Sequence, residues 1–224
     1  MTTTLITGAN KGLGYETARR LLEAGHDVWV GARDASLGRK AAETLGGRFV
    51  QLDVTSDESV AAAALTVGKV DVLVNNAGIA GPWENSDDPS PADVQRVFET
   101  NVIGAVRVFH AFLPALKRSA HGVVVNVSSG LGSIAGTIDR EYGRTPVAYG
   151  TSKAALNMLT VQWAIAHPEV KVNAAGPGYT ATDLNGNSGP QTVTEGTDAI
   201  VELACIGPDG PTATYLSRHG TVRW

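Results

Sequence analysis

Short runs of apolar, β-branched residues alternate along this chain with longer stretches whose apolar positions recur at helical spacing. The runs cover residues 4–7, 27–31, 49–52, 70–75, 123–127 and 170–174, with a weaker one at 213–216. Such continuous apolar runs predict strands buried on both faces of a parallel sheet. Between them, residues 12–24 place Leu13, Ala18, Leu21 and Leu22 near one helical face. Residues 36–45 predict a second helix, and 57–66 a third, opened by Thr55 and Glu58 at capping-box spacing. Residues 91–116 predict a long helix bending near Pro114. Further helices are predicted over 149–166, ending before Pro168, and over 194–204. Alternation of this kind predicts an α/β fold, a doubly wound three-layer sandwich around a parallel sheet of about seven strands.

Three stretches interrupt the alternation: 78–91, 130–146 and 179–194. Each follows a strand at the same edge of the sheet. Ligands of open α/β sheets bind beyond the carboxyl ends of the strands, so the three loops should converge on one cleft. The last, with Asn185-Gly186-Asn187-Ser188-Gly189-Pro190, is expected to be mobile. Trp83, Tyr142 and Tyr179 are candidate substrate contacts, with local packing an equal alternative. Arg140 and Arg144 could recognise an anionic substrate, although a solvated arginine is the commoner case. Asp87-Asp88 reads as a solvated loop.

Composition narrows the class. The 224 residues are 43% hydrophobic and 18% charged, with a net charge of -4. That supports a buried core and argues against disorder. The interspersed charges give no electrostatic footprint for nucleic acid. No apolar run nears the ~18–20 residues of a membrane span, and the first residues lack a signal-peptide pattern. The chain is therefore expected to be cytoplasmic, with residues 1–224 forming a single dinucleotide-binding and catalytic domain. A lone cysteine, Cys205, excludes an intrachain disulfide and is expected to be a small buried apolar residue. The five histidines never fall at HxxxH spacing, so no metal is expected. The sequon Asn126-Val127-Ser128 lies in a predicted strand and is accidental, and Trp29 and Trp163 read as core.

The first strand runs into Thr7-Gly8-Ala9-Asn10-Lys11-Gly12-Leu13-Gly14. Glycines let the backbone approach a pyrophosphate, and the following helix offers unpaired N–H groups and its positive end. The second strand ends at Ala32-Arg33, where NAD-binding folds usually carry a carboxylate for the ribose. Arg33 together with Lys11 favours a 2′-phosphate, hence NADP(H) over NAD(H). The alternative is a pair of solvated cations, with Asp34 pairing to Arg33.

Tyr149 and Lys153 stand four apart at the start of a predicted helix and so share a face. A phenol of pKa ~10 is a poor acid–base catalyst at neutral pH. A neighbouring ammonium is expected to draw that pKa down.

Together these features resemble the short-chain dehydrogenase/reductase family over nearly the whole chain, and the lengthened stretch from Ser129 to Tyr149 resembles its carbonyl reductase-like branch. The family's glycine motif stands at Thr7 to Gly14, and an Asp after the third strand at Asp53, followed by Val54. Its NNAG motif is Asn75-Asn76-Ala77-Gly78, its catalytic Asn is Asn101, and its serine motif ends at Ser129. YxxxK is Tyr149 and Lys153, and the PG motif is Pro177-Gly178 followed by Thr180 and Thr182. The resemblance implies a Rossmann-type fold and reduction of a ketone or aldehyde by NADPH, or the reverse. It implies Asn101, Ser129, Tyr149 and Lys153 as catalytic residues. Cofactor contacts are implied at Gly8, Asn10, Lys11, Gly12, Leu13, Gly14, Arg33, Asp53, Val54, Asn75, Ala77, Gly78, Tyr149, Lys153, Pro177, Gly178, Thr180 and Thr182. Tyr149 would donate the proton, Ser129 would bind the carbonyl oxygen, Lys153 would tune Tyr149, and Asn101 would hold a relay water. The partner is a small-molecule carbonyl or alcohol. The long helices offer a homo-oligomer interface, with a monomer equally open. A non-catalytic dinucleotide sensor on the same fold is the competing reading. An extended epimerase is disfavoured because little chain follows Lys153.

Overall fold

The computed structural model describes residues 1–82, 86–139 and 146–224. Trp83, Arg140, Tyr142 and Arg144 lie outside the described residues.

The alternating pattern folds as expected. In chain order come β1 (Thr3–Thr7), α1 (Gly12–Glu23), β2 (Asp27–Ala32), α2 (Ala35–Leu45), β3 (Arg48–Gln51), α3 (Asp57–Val67) and β4 (Val72–Asn75). They are followed by α4 (Pro91–Phe98), α5 (Gly104–Arg118), β5 (Gly122–Val127), α6 (Ile134–Ile138), α7 (Val147–Ala166) and β6 (Val170–Gly176). The chain closes with α8 (Val193–Gly196), α9 (Asp198–Ala204), β7 (Tyr215–Ser217) and β8 (Gly220–Thr221). The sheet order is β3-β2-β1-β4-β5-β6-β7-β8, parallel throughout except for the antiparallel β7–β8 pair.

Alternate strand residues feed the two faces, as the pleat requires. Leu5, Leu73 and Val124 pack with Val60, Val108, Phe112 and Ala164 from α3, α5 and α7. Ile6, Val74 and Val125 pack with Ala18, Leu21, Ala41, Ile200 and Leu203 from α1, α2 and α9. This is the Rossmann-type three-layer arrangement. The chain order reverses between β1 and β4, and a crevice opens there at the carboxyl ends of the strands.

Local differences have local causes. α3 is capped by Ser56, whose Oγ accepts the Ser59 N–H at 3.1 Å; Thr55 instead donates its hydroxyl to Asp53 at 2.7 Å. The helix expected over 91–116 is interrupted by a π turn at Glu99–Ile103, and α5 runs on through Pro114. The helix expected over 194–204 divides at Thr197. The loop over 179–194 carries bonds of its own: Thr180 bridges Gln191, and Asn185 Nδ2 donates to Thr180 O at 2.9 Å. Cys205 corrects an expectation. It sits at the carboxyl cap of α9, past the last buried turn, and is exposed. Trp163 stacks on Phe109 with ring centres 4.0 Å apart, while Trp29 is half-buried under the Arg48 guanidinium. Among the described residues no helix is long and apolar enough to cross a membrane, and no metal-binding cluster of His, Cys, Asp or Glu is found.

Candidate active site

A cavity of about 800 Å3 lies over the crevice. The glycine turn forms its floor. Thr7 Oγ1 accepts the N–H groups of Asn76 and Ala77 at 3.0 Å each, tying the β1 turn to the β4 turn. Asn76 Nδ2 returns bonds to Thr7 O at 2.8 Å and Gly8 O at 3.1 Å. Gly8 and Gly12 take φ of 64° and 55°, a region glycine enters without strain.

The start of α1 differs from its neighbours. Asp34, Ser56 and Ser90 cap α2, α3 and α4 with side-chain oxygens. At α1 the cap position is Lys11, which makes no side-chain cap bond, and the first turn holds no acid. Its leading N–H groups and positive end therefore face the cavity uncapped, a cradle suited to a phosphate. At the cavity rim Arg33 is exposed and makes no ion pair among the described residues, because Asp34 is engaged in capping α2. Lys11 pairs with Asp183 at 2.9 Å across the mouth. This arrangement fits a dinucleotide with an additional phosphate near Arg33 and Lys11.

Gly8, Asn10, Lys11, Gly12, Leu13, Gly14, Arg33, Asp53, Val54, Ala77, Gly78, Pro177, Gly178, Thr180 and Thr182 all line the cavity, as do Ser129, Tyr149 and Lys153. Asn75 does not. It is buried in β4, and its Nδ2 donates to Asn126 Oδ1 on β5 at 2.9 Å, so the lining residue of that motif is its neighbour Asn76. Asn101 lies just behind the wall, 1% exposed, at the π turn. Its Oδ1 accepts the Ile79 N–H and its Nδ2 donates to Ile79 O, both at 2.9 Å, with Ser152 Oγ at 3.0 Å. A side chain on Gly78 would place its Cβ 3.3 Å from Asn101 Oδ1 and 3.6 Å from Lys153 Nζ. Both polar atoms thus border the space that glycine leaves open. A π turn so placed accords with the tendency of such turns to mark functional sites.

α7 presents Tyr149 and Lys153 on one face, both buried. The Lys153 ammonium lies 5.6 Å from the centre of the Tyr149 ring and donates to Val127 O at 2.7 Å. The Ser129 hydroxyl neighbours the Tyr149 phenol and favours its ionised form. The expected lowering of the phenol's pKa is not what the protein alone achieves. Burial pushes Tyr149 up to about 12, with the Ser129 hydroxyl pulling back, and burial pushes Lys153 down to about 8. Desolvation penalises both charged forms in the same dry wall. At neutral pH the phenol is thus held protonated, ready to donate.

Other lining residues were not among those the sequence assigns to the site: Asn76, Thr55, Ile79, Leu131 and Leu184 are examples. Only Asn76 had a signal, its place in the NNAG motif.

The glycine turn, the uncapped helix and the Ser–Tyr–Lys wall coincide with what similarity reveals. The model of the short chain dehydrogenase family matches residues 2–192. The chain belongs to the short-chain dehydrogenase family. This short-chain dehydrogenase is 30% identical to (+)-neomenthol dehydrogenase of Arabidopsis thaliana over 281 aligned residues, covering 96% of this chain and 95% of that one. It is 34% identical to carbonyl reductase (NADPH) 3 of Rattus norvegicus, covering 92% and 91%. Among solved structures it superposes on NADPH-bound carbonyl reductase from chicken fatty liver with a TM-score of 0.87 at 30% identity, covering 100% and 99%. The fold is therefore of the carbonyl reductase-like type, and the protein is an oxidoreductase.

Proposed function

We propose that this oxidoreductase reduces the carbonyl of a ketone or aldehyde with NADPH, or runs the reverse oxidation, using Tyr149 as general acid and base. The observation that carries this reading is the convergence of the Ser129 hydroxyl, the Tyr149 phenol and the Lys153 ammonium on one cavity wall. The similarity to two NADPH carbonyl reductases supports it.

When bound, NADPH supplies the hydride. The turn from Gly8 to Gly14 and the start of α1 would hold its pyrophosphate, Arg33 and Lys11 its 2′-phosphate, and Asp53 and Val54 its adenine. Ala77, Gly78, Pro177, Gly178, Thr180 and Thr182 would hold the remainder, with Lys153 on the nicotinamide ribose. As negative charge develops on the carbonyl oxygen, Tyr149 gives it a proton and Ser129 donates a hydrogen bond. Such groups count most when they strengthen toward the transition state. Asn101 Oδ1 and Lys153 Nζ, bordering Gly78, suit a water that returns the proton to Tyr149.

Tyr149→Phe keeps the ring and removes the proton. Assayed by NADPH oxidation with menthone, acetophenone and benzaldehyde, it should lose all measurable turnover while NADPH affinity, read by fluorescence titration, stays within about twofold. A variant as active as the wild type defeats the reading. NADPH binding by the wild type without turnover of any carbonyl would favour the dinucleotide sensor.

A further inference from the structure

Beside Asn101, Ser129, Tyr149 and Lys153 stands a further buried polar side chain, Asn157, 4% exposed and one turn beyond Lys153 on α7. Tyr149, Lys153 and Asn157 recur every four residues, and that spacing keeps them on one face. Ser128 Oγ donates to Asn157 Oδ1 at 2.5 Å, and Asn157 Nδ2 donates to Gly132 O at 3.1 Å. The two bonds fix which end of the amide is which, and they grip the chain on both sides of Ser129. The turn lies directly on the helix: a Cβ on Gly132 would come within 2.7 Å of Lys153 Cβ. The Leu131 N–H donates to Ser129 Oγ at 3.3 Å, which fixes the oxygen and leaves the hydroxyl its proton and one lone pair to offer.

We propose that Asn157 is a positioning residue for the reaction. It clamps the turn bearing Ser129 to the helix bearing Tyr149 and Lys153, and so sets the Ser129 hydroxyl on the phenol. A neutral amide suits this task, since it supplies a donor and an acceptor at once without adding another buried charge. The inference rests on the roles given above to Ser129 and Tyr149.

The test is a double-mutant cycle, assayed on the carbonyl of the panel that the wild type turns over fastest. Asn157→Leu removes both bonds at similar volume and should lower kcat about tenfold or more, with NADPH affinity within about twofold. In a Ser129→Ala background the same substitution should change kcat by less than about twofold, because nothing remains to be positioned. Equal losses in the two backgrounds overturn the inference, since they assign Asn157 to the fold at large. A normal kcat for Asn157→Leu also overturns it. A Ser129→Ala enzyme with wild-type kcat removes the role of Ser129 itself, and the inference with it. Ser128→Ala, which cuts one bond and exposes less unpaired polarity, serves if Asn157→Leu does not fold and should give the same pattern more weakly. A crystal structure of whichever variant folds gives a readout independent of turnover: Ser129 Oγ should move away from the Tyr149 hydroxyl relative to the wild type, and an unmoved Ser129 overturns the proposal.

Discussion

Lys153 carries an ammonium that is 4% exposed and has Val127 O as its hydrogen-bond acceptor at 2.7 Å. Burial pushes its pKa from 10.5 to about 8. The folded protein thus holds this proton less tightly than the unfolded chain. Below pH 8 the cost of burying the charge is borne in full. Between about 8 and 10.5 the unfolded chain binds more protons, and this residue's contribution to stability rises with pH. Lys153→Met keeps the length and removes the charge. It should raise stability at pH 7 by about 1–3 kcal/mol in urea denaturation while turnover disappears, and the gain should vanish near pH 10.5. Tyr149 has the opposite sign. Its raised pKa means that the unfolded chain deprotonates first, so its contribution is lost from pH 10 to about 12. The sequence showed the Tyr149–Lys153 adjacency, because four-residue spacing on a helix enforces it. It did not show which way the phenol titrates. Burial decides that, and burial comes from the turn at 127–132 packing over α7.

At the scale of elements, the start of α1 illustrates how a small position governs a ligand site. A Cβ on Gly14 would lie 2.5 Å from Asn76 Nδ2 and 2.6 Å from Gly8 O. Backbone cannot yield there as a flexible side chain can, so Gly14→Ala must tilt α1 away and break the Asn76 bonds that hold the turn. The expected result is NADPH affinity weaker by about tenfold or more and a lower melting temperature, from fluorescence titration and thermal melts. The strands were legible because runs buried on both faces leave an apolar, β-branched signature, as β5 does from Val123 to Val125. The π turn at Glu99–Ile103 was not, since its reason is distant in sequence: Asn101 is tied to the backbone of Ile79. Nor was the two-residue β8, too short to carry a pattern. Cys205 was misplaced for a related reason: residue type alone does not tell a buried turn from the cap just beyond it.

Across the whole molecule the two edges of the sheet do different work. At the carboxyl ends of the strands stand the glycine turn, the Ser129, Tyr149 and Lys153 side chains and the cavity they line. At the amino ends, Asp71 accepts the Thr3 N–H at 2.8 Å and the Ser119 hydroxyl at 2.7 Å, and pairs with Lys69 at 3.1 Å. Burial alone would raise this carboxyl, but those partners outweigh it and hold it below the usual range. Its contribution is therefore present above about pH 4 and is lost as acid titrates the folded form. Asp71→Asn leaves one donor facing an amide N–H. It should cost about 1–3 kcal/mol at pH 7 by urea denaturation, converge with the wild type in acid, and leave kcat unaltered. Doubly wound topology was readable from the alternation of runs; this division of labour was not, because it depends on which loop polar groups meet across β1, β4 and β5. Its consequence is a freedom for the molecule's future. Substitutions that toughen the footing around Asp71 can accumulate out of reach of the cavity, and that reserve lets the loops on the far side be rewritten for a new ligand without collapse.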